Sequence, residues 1–416
     1  MTILCVMRIP PHPEGHGGSQ RAWQLVRALR TLGSVHFVLV SRKVDHDAAT
    51  VSLAPLERLV ESVVHIDVPE WQPHFGRRFR LLSAGWVDLF GMRSAEAPRI
   101  SRRGLEPIAA QLPIRDPDVL FAGRLPSAVM IQSLLDRHLL TASRKVADFD
   151  DIMSRFVETE LRVRRARLGK QGYLLRRIDL EFIRRAERRI ATQWDGVSVC
   201  TDEDAGTLRN LYPGAGVTKI PNIVERAELP IAATSDRVRI LFVGNLCFLP
   251  NVEGLLKFIK EGWATVLRAL PNAQLTIVGI NPEEGLRALA RDNGFSLYAD
   301  VPSVEPFYRD ADLVIAPILL GGGTRIKILE AMAYGRPVVS TPVGASGLDV
   351  VNGRDILLAD EMPDFANAII ALARDPALRQ SVASNARALQ QREYSPKALD
   401  WAVERMVVKA VPARST

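Results

Sequence analysis

Cysteine is nearly absent from this sequence, and the three present, Cys5, Cys200 and Cys247, lie far apart and outside any C-x-x-C or Cys/His cluster. That excludes a disulfide framework and a structural zinc site, and it fits a reducing cytosol. Long apolar runs are also missing. No stretch approaches 18 consecutive apolar residues, so no membrane-spanning helix is expected. The opening, MTILCVMRIPPHPEG, lacks a basic n-region and its apolar run stops within a few residues, so a secretory leader is not expected and a cytoplasmic location is. With 47% apolar and 24% charged residues, the chain is neither disordered, collagenous nor fibrous. Its 416 residues suffice for two substantial domains.

A uniform basic coat is lacking as well. The net charge is +7, but residues 161–189 hold eleven Arg/Lys against three Asp/Glu, and from Asp236 onward acids and bases number 20 each. Nucleic acid is therefore not an expected partner, whereas a local basic face is.

Two segments open alike. Ile3–Met7 reads as a buried strand, followed by a Pro/Gly-rich loop and a helical pattern at Ala22, Leu25, Val26, Leu29 and Leu32. Arg239–Gly244 repeats the scheme, with a loop to Pro250 and a helix over Leu255–Leu267. Strand, turn and helix is how a doubly wound α/β domain begins. Further strand-like runs follow at Val35–Val40, Val63–Val68, Val119–Ala122, Lys145–Asp148 and Gly196–Cys200, then at Gln274–Val278, Leu313–Ala316 and Pro337–Ser340. Both periodicities lapse over Pro221–Asp236. The expected division is an amino-terminal domain over 1–228, a carboxyl-terminal domain over 237–392, and a tail at 393–416 whose helix, Lys397–Val408, returns to the first domain.

The stretch Pro317–Thr341 carries the most chemistry. A strand ends at Pro317, Gly321, Gly322 and Gly323 let backbone amides approach a ligand, and a helix begins near Thr324. Amides at a helix start suit an anion, Arg325 and Lys327 add positive charge, and Glu330 follows about a turn and a half later. A diphosphate suits the first features and a hydroxyl pair suits the carboxylate. A glycine-tolerant loop with solvated bases is the other reading.

From Gly321 to Thr341 the run resembles the nucleotide-sugar signature of the retaining family-4 (group 1) glycosyltransferases of GT-B fold: a loop, then Glu-Ala-Met-Ala, Gly, and Pro-Val-Val. Leu275–Gly279, Val304–Asp312, Asn352-Gly353 and Ile220–Asn222 fall in that family's order, and Gly17-Gly18 resembles its opener. The resemblance implies two Rossmann-like domains facing each other across a cleft and a nucleotide-sugar as co-substrate. It implies no metal or other cofactor, and a glycan or lipid-linked acceptor of cell-surface polysaccharide assembly. It places the donor against Gly17, Gly18, Gly244, Gly279, Val301, Gly322, Gly323, Thr324, Arg325, Lys327 and Glu330, with Arg325, Lys327 and Glu330 carrying catalysis. The acceptor falls to His16, Arg21, Arg124, Asp150 and Asp151.

Three departures stand out. The acidic residue common eight positions before the glutamate is Gly322 here, and a basic pair early in the second domain is replaced by Asn245 and Asn251, which moves positive charge to Arg325 and Lys327. The histidine common after the middle strand of the first domain is absent, and Gly123-Arg124 stands there. A nucleotide-sugar epimerase or a non-catalytic assembly subunit would share the architecture.

Asp148, Asp150 and Asp151 follow a strand and precede a helix, so capping and loop solvation explain them as well as acceptor contact does. The basic block Arg162–Arg189 reads as a solvated helix face. Beside it, Arg77–Arg80 precedes Leu81, Leu82, Trp86, Leu89 and Phe90, an apolar face with aromatics next to arginines. That face either packs on the core or, with the basic block, contacts an anionic membrane surface at the inner face of the plasma membrane.

Overall fold

The computed structural model describes residues 1–13, 17–42, 53–68, 102–163, 165–226, 228–229, 237–247, 249–319 and 326–408. The chain divides into two compact units, Met1–Ile220 with Leu399–Thr416, and Pro221–Ala398.

Among the described residues the first unit holds a seven-stranded sheet in the order β3-β2-β1-β4-β5-β6-β7. Its strands are β1 (Thr2–Met7), β2 (Ser34–Arg42), β3 (Ser62–Val68), β4 (Val119–Gly123), β5 (Arg144–Asp150), β6 (Gly196–Val199) and β7 (Val217–Lys219). Every pairing is parallel, and Val6 sits between Val38 and Ala122. Parallel strands covered by helices on both faces read as continuous apolar runs. That is why Ile3–Met7, Val119–Gly123 and Gly196–Val199 are buried without alternation.

The second unit repeats the winding with six strands, β10-β9-β8-β11-β12-β13, again all parallel. They are β8 (Val238–Asn245), β9 (Ala273–Ile280), β10 (Ser296–Ala299), β11 (Leu313–Ala316), β12 (Val338–Ser340) and β13 (Leu357–Leu358). In each sheet the winding reverses beside the first strand, between β1 and β4 and between β8 and β11. Ligands of open α/β sheets bind at the carboxyl ends of strands at such a reversal.

Local chemistry sets the helix ends. Thr201 caps Asp202–Leu211 by accepting from the Asp204 amide, and three acids in that first turn suit the positive helix end. Asp375 does the same for Pro376–Glu393. The helix read over Leu255–Leu267 is two helices, Leu249–Glu261 and Trp263–Ala269, broken at Gly262.

The segment Pro221–Glu228, assigned by sequence to the first domain, lies with the second unit: Val224 joins its core and its carbonyl accepts from Gln390 Nε2 at 2.7 Å. In the last helix, Pro396–Val407, residues from Leu399 onward lie in the first unit, where Arg144 donates to the Met406 carbonyl at 2.9 Å and Arg27 meets Asp400. Among the described residues no helix is long and apolar enough to cross a membrane.

Candidate functional site

In the second unit the carboxyl ends of β8 and β9 come unusually close. A side chain at Gly279 would sit 1.8 Å from the Gly244 carbonyl oxygen, so this position requires glycine. Gly244 leaves room for a different neighbour. A methyl there would lie 2.9 Å from Lys327 Nζ. Lys327, in the helix Ile326–Ala333, donates to Asn251 Oδ1 at 2.6 Å and lies over the Phe242 ring at 4.8 Å. Asn251 Nδ2 in turn donates to the Asn245 carbonyl at 2.8 Å. Of the two asparagines that stand where the family pattern has bases, Asn251 therefore holds the Lys327 ammonium and is itself tied to the Asn245 backbone at the end of β8, while the Asn245 side chain accepts from Cys247.

One turn along, Glu330 is buried, and that burial raises its carboxyl above the usual range, partly offset by Arg226 and Tyr308. Arg226 Nη2 lies 3.6 Å from Glu330 Oε1, and the Tyr308 hydroxyl donates to Glu330 Oε2 at 3.5 Å and to the Lys327 carbonyl at 3.3 Å. Tyr308 is held by stacking on Tyr334 at 4.7 Å. These are long contacts for a buried carboxylate, which can accept four short ones. Val301 is half-buried against the same core, just after β10. Gly321, Gly322, Gly323, Thr324 and Arg325, assigned to the donor by sequence, lie outside the described residues.

Other residues of the sequence signature have structural work. Asp312 receives Arg239 through both side-chain oxygens at 3.1 and 3.0 Å, which ties the starts of β8 and β11. Arg336 is fully buried and donates to the Tyr308 carbonyl at 2.6 Å. Asn352 accepts from the Leu358 amide at 2.8 Å.

The first unit gathers the acceptor-side candidates differently. Arg21 is buried in the helix Gly17–Leu32, which Gly17 and Gly18 begin. Its guanidinium donates to Asp148 at 2.6 and 3.0 Å and to the Ile220 carbonyl at 3.1 Å, and pairs with Asp150 at 3.3 Å. Ser198 completes Asp148 at 2.7 Å. Arg124 takes the other oxygen of Asp150 at 2.6 Å. Arg124 and Asp150 both have positive φ, 67° and 64°, and the β5–β6 register shifts between Asp148 and Asp150.

Two expectations change here. Asp148 and Asp150 are not solvated loop or capping acids, because they are buried and closed by guanidinium groups. Arg21, given to the acceptor by sequence, is buried as the cation that pairs with both. Asp151 is exposed as a residue, yet its carboxyl turns toward Asp150 and the Cys200 thiol, which donates to it at 3.7 Å. Desolvation there and the Asp150 charge push its carboxyl up to about 7. Asp150, Asp151 and Cys200 bring ligand-type atoms within 4.8 Å of one another. The two guanidinium groups on Asp150 already balance its charge. His16 lies outside the described residues.

Sequence reasoning missed Arg226, which is remote from Glu330 along the chain and has no local signal. Tyr308 lay within a recognised run, and its burial beside Glu330 is what singles it out.

Residues 237–375 match the profile of the family described as glycosyl transferases group 1. A Klebsiella pneumoniae protein described as an uncharacterised 44.6 kDa protein in the cps region is 29% identical over 168 residues, 38% of this chain and 43% of its own. A phosphatidyl-myo-inositol mannosyltransferase of Mycobacterium leprae is 31% identical over 150 residues, 33% of this chain and 40% of its own. The chain thus aligns with less than half the length of these two relatives. Among solved structures, Anabaena Alr3699/HepE in complex with UDP superposes with a TM-score of 0.63 at 14% identity, covering 98% of this chain and 99% of its own.

Proposed function

We propose that this chain, a GT-B protein whose residues 237–375 form a group 1 glycosyl transferase domain, transfers a sugar from a nucleotide-sugar donor to a glycan or lipid-linked acceptor, with retention of configuration. The observation that carries the reading is the pairing of a cation and a buried carboxylate one turn apart at the carboxyl ends of β8 and β11. In this reading Lys327 would meet a donor phosphate, and Glu330, whose contacts are long, would take a hydroxyl pair of the ribose or sugar. The Anabaena neighbour's complex with UDP supports a nucleotide-sugar donor, and the phosphatidyl-myo-inositol mannosyltransferase relative supports sugar transfer.

Glycosyl transfer leaves negative charge on the departing diphosphate. Lys327, with Arg325 and backbone amides of Gly321–Thr324, stabilises that charge as it forms, which is worth most where water is excluded. This division of labour needs no divalent ion at the donor phosphates. Acceptor hydroxyls fall to the first unit, where Asp151 is the candidate contact.

A thermal-shift series with UDP, GDP, dTDP and CMP, each free and as a sugar conjugate, tests the reading, because a ligand that binds the folded state alone stabilises it. One nucleotide series is expected to raise the melting temperature, and release of that nucleotide on adding acceptor is expected to track sugar transfer. A product that stays nucleotide-linked would identify an epimerase instead. Binding of no nucleotide would overturn the reading.

A further inference from the structure

The aromatic run at Arg77–Phe90 lies outside the described residues, whereas the carboxyl end of β8 is described together with its neighbours. Asn251 is buried there, in the first turn of the helix Leu249–Glu261. Two side-chain contacts fix which way its amide points. The Asn245 carbonyl can only accept and the Lys327 ammonium can only donate, so Nδ2 faces the first at 2.8 Å and Oδ1 the second at 2.6 Å. The reverse orientation would set acceptor against acceptor and donor against donor. An aspartate here would have no donor for Asn245, and a lysine or arginine no acceptor for Lys327. Gly244 supplies the space. A methyl group there would lie 3.1 Å from Asn251 Nδ2 and 2.9 Å from Lys327 Nζ.

The charge at this point runs against helix preference. Lys327 is the second residue of Ile326–Ala333, and Asn251 the third of its own helix. Helix starts carry partial positive charge, so a cation in the first turn is disfavoured by its own helix. A carboxylate at position 251 would relieve this, but it would also cancel the ammonium. The amide orients the ammonium and brings no counter-charge. The Phe242 ring, 4.8 Å away, is neutral as well. A cation aimed by neutral groups beside helix starts suits an anion, and in a nucleotide-sugar the diphosphate carries the negative charge.

We infer that Asn251 is a positioning residue that holds the Lys327 ammonium toward the donor diphosphate without neutralising it. Asn251 touches no substrate and acts through Lys327. This role rests on the reading of Lys327 as a donor-phosphate group. It accounts for an asparagine where the family pattern has a base, because a base at 251 would repel Lys327.

Calorimetric titration of the full chain with UDP, GDP and dTDP, each beside its nucleoside, tests the role. In wild type one diphosphate is expected to bind more tightly than its nucleoside. Asn251→Ala is expected to weaken that diphosphate about three- to tenfold, and Asn251→Asp, which pairs with the ammonium, at least about thirtyfold. Nucleoside affinity should hold in both, which a general loss of structure would not allow. A double-mutant cycle separates positioning from direct contact: in a Lys327→Met background, Asn251→Ala should cost nothing further. Should Asn251→Asp misfold, as a fallen melting temperature would show, Asn251→Ala and the cycle decide alone. Three results would overturn the role and leave the donor reading standing: full diphosphate affinity in the folded variants, equal losses for diphosphate and nucleoside, or additive effects of Asn251→Ala and Lys327→Met. Binding of no diphosphate by wild type would overturn both.

Discussion

At the carboxyl ends of the first sheet two arginines close on two aspartates; at the corresponding ends of the second, Lys327 and Glu330 meet their neighbours on other terms. The Arg21–Asp148 pair is short, hydrogen-bonded through two nitrogens and almost wholly buried. In the second unit Lys327 rests on a neutral amide and a ring, and Glu330 has Arg226 and Tyr308 at the limit of contact. Opposite charges that satisfy each other hold a structure. A buried carboxylate held by long contacts retains capacity for a polar ligand. The same topological position thus serves as a clamp in one unit and as a candidate binding site in the other.

The comparison predicts different consequences for removing a charge on each side. Arg21→Ala strands Asp148 in the interior while Asp150 keeps Arg124, and breaking such a buried pair costs about 3–5 kcal/mol. Scanning calorimetry is expected to show a large fall in melting temperature, whereas Arg21→Met with Asp148→Leu should recover much of it. A stable, fully folded Arg21→Ala protein would show that the cluster is not a clamp.

Glu330→Ala should do the reverse, leaving the fold intact while weakening nucleotide binding at least about tenfold, since hydrogen bonds to a charged group contribute about 1.5–3 kcal/mol. Calorimetric titration of nucleotide into the variant checks this. Unchanged affinity would remove Glu330 from the donor site.

Lys327→Ala is expected to lower kcat more than it raises KM, because the charge it meets grows as the diphosphate leaves. EDTA should change wild-type turnover little. Abolition by EDTA and rescue by Mg²⁺ would instead point to a metal, with Asp150, Asp151 and Cys200 the first residues to test.

The smallest effect concerns Asp151. Its carboxyl is raised from an ordinary value of 3.8 to about 7, so the folded state favours the protonated form. Ionisation therefore costs stability progressively as pH rises from about 4 to about 7, and the cost is complete above that. Asp151→Asn should match wild type near pH 4 and melt about 2 °C or more higher near pH 8. An equal difference at both pH values would mean that the substitution acts through packing.

Much of this was legible in the sequence because parallel strands buried on both faces leave unbroken apolar runs. Ile3–Met7, Val119–Ala122 and Leu313–Ala316 announce themselves, and β1, β4 and β11 follow. The short strands β7, β10 and β13 are partly solvated, so their residues carry no such signal. Lys327 and Glu330 were readable from spacing within one motif and Gly244 from the earlier strand–turn opener, since a strand end and a helix start are local events. Which charge would neutralise which was not readable. Arg21 and Asp148 are 127 residues apart, and Arg226 reaches Glu330 from a segment the sequence assigned to the other domain. The sequence by itself determined the two windings and the chemical groups available at their strand ends. The tertiary structure alone decided that Arg21, Asp148 and Asp150 would be buried together and that Glu330 would be held by longer contacts, because burial and partner distance depend on residues that meet only after the sheets have formed.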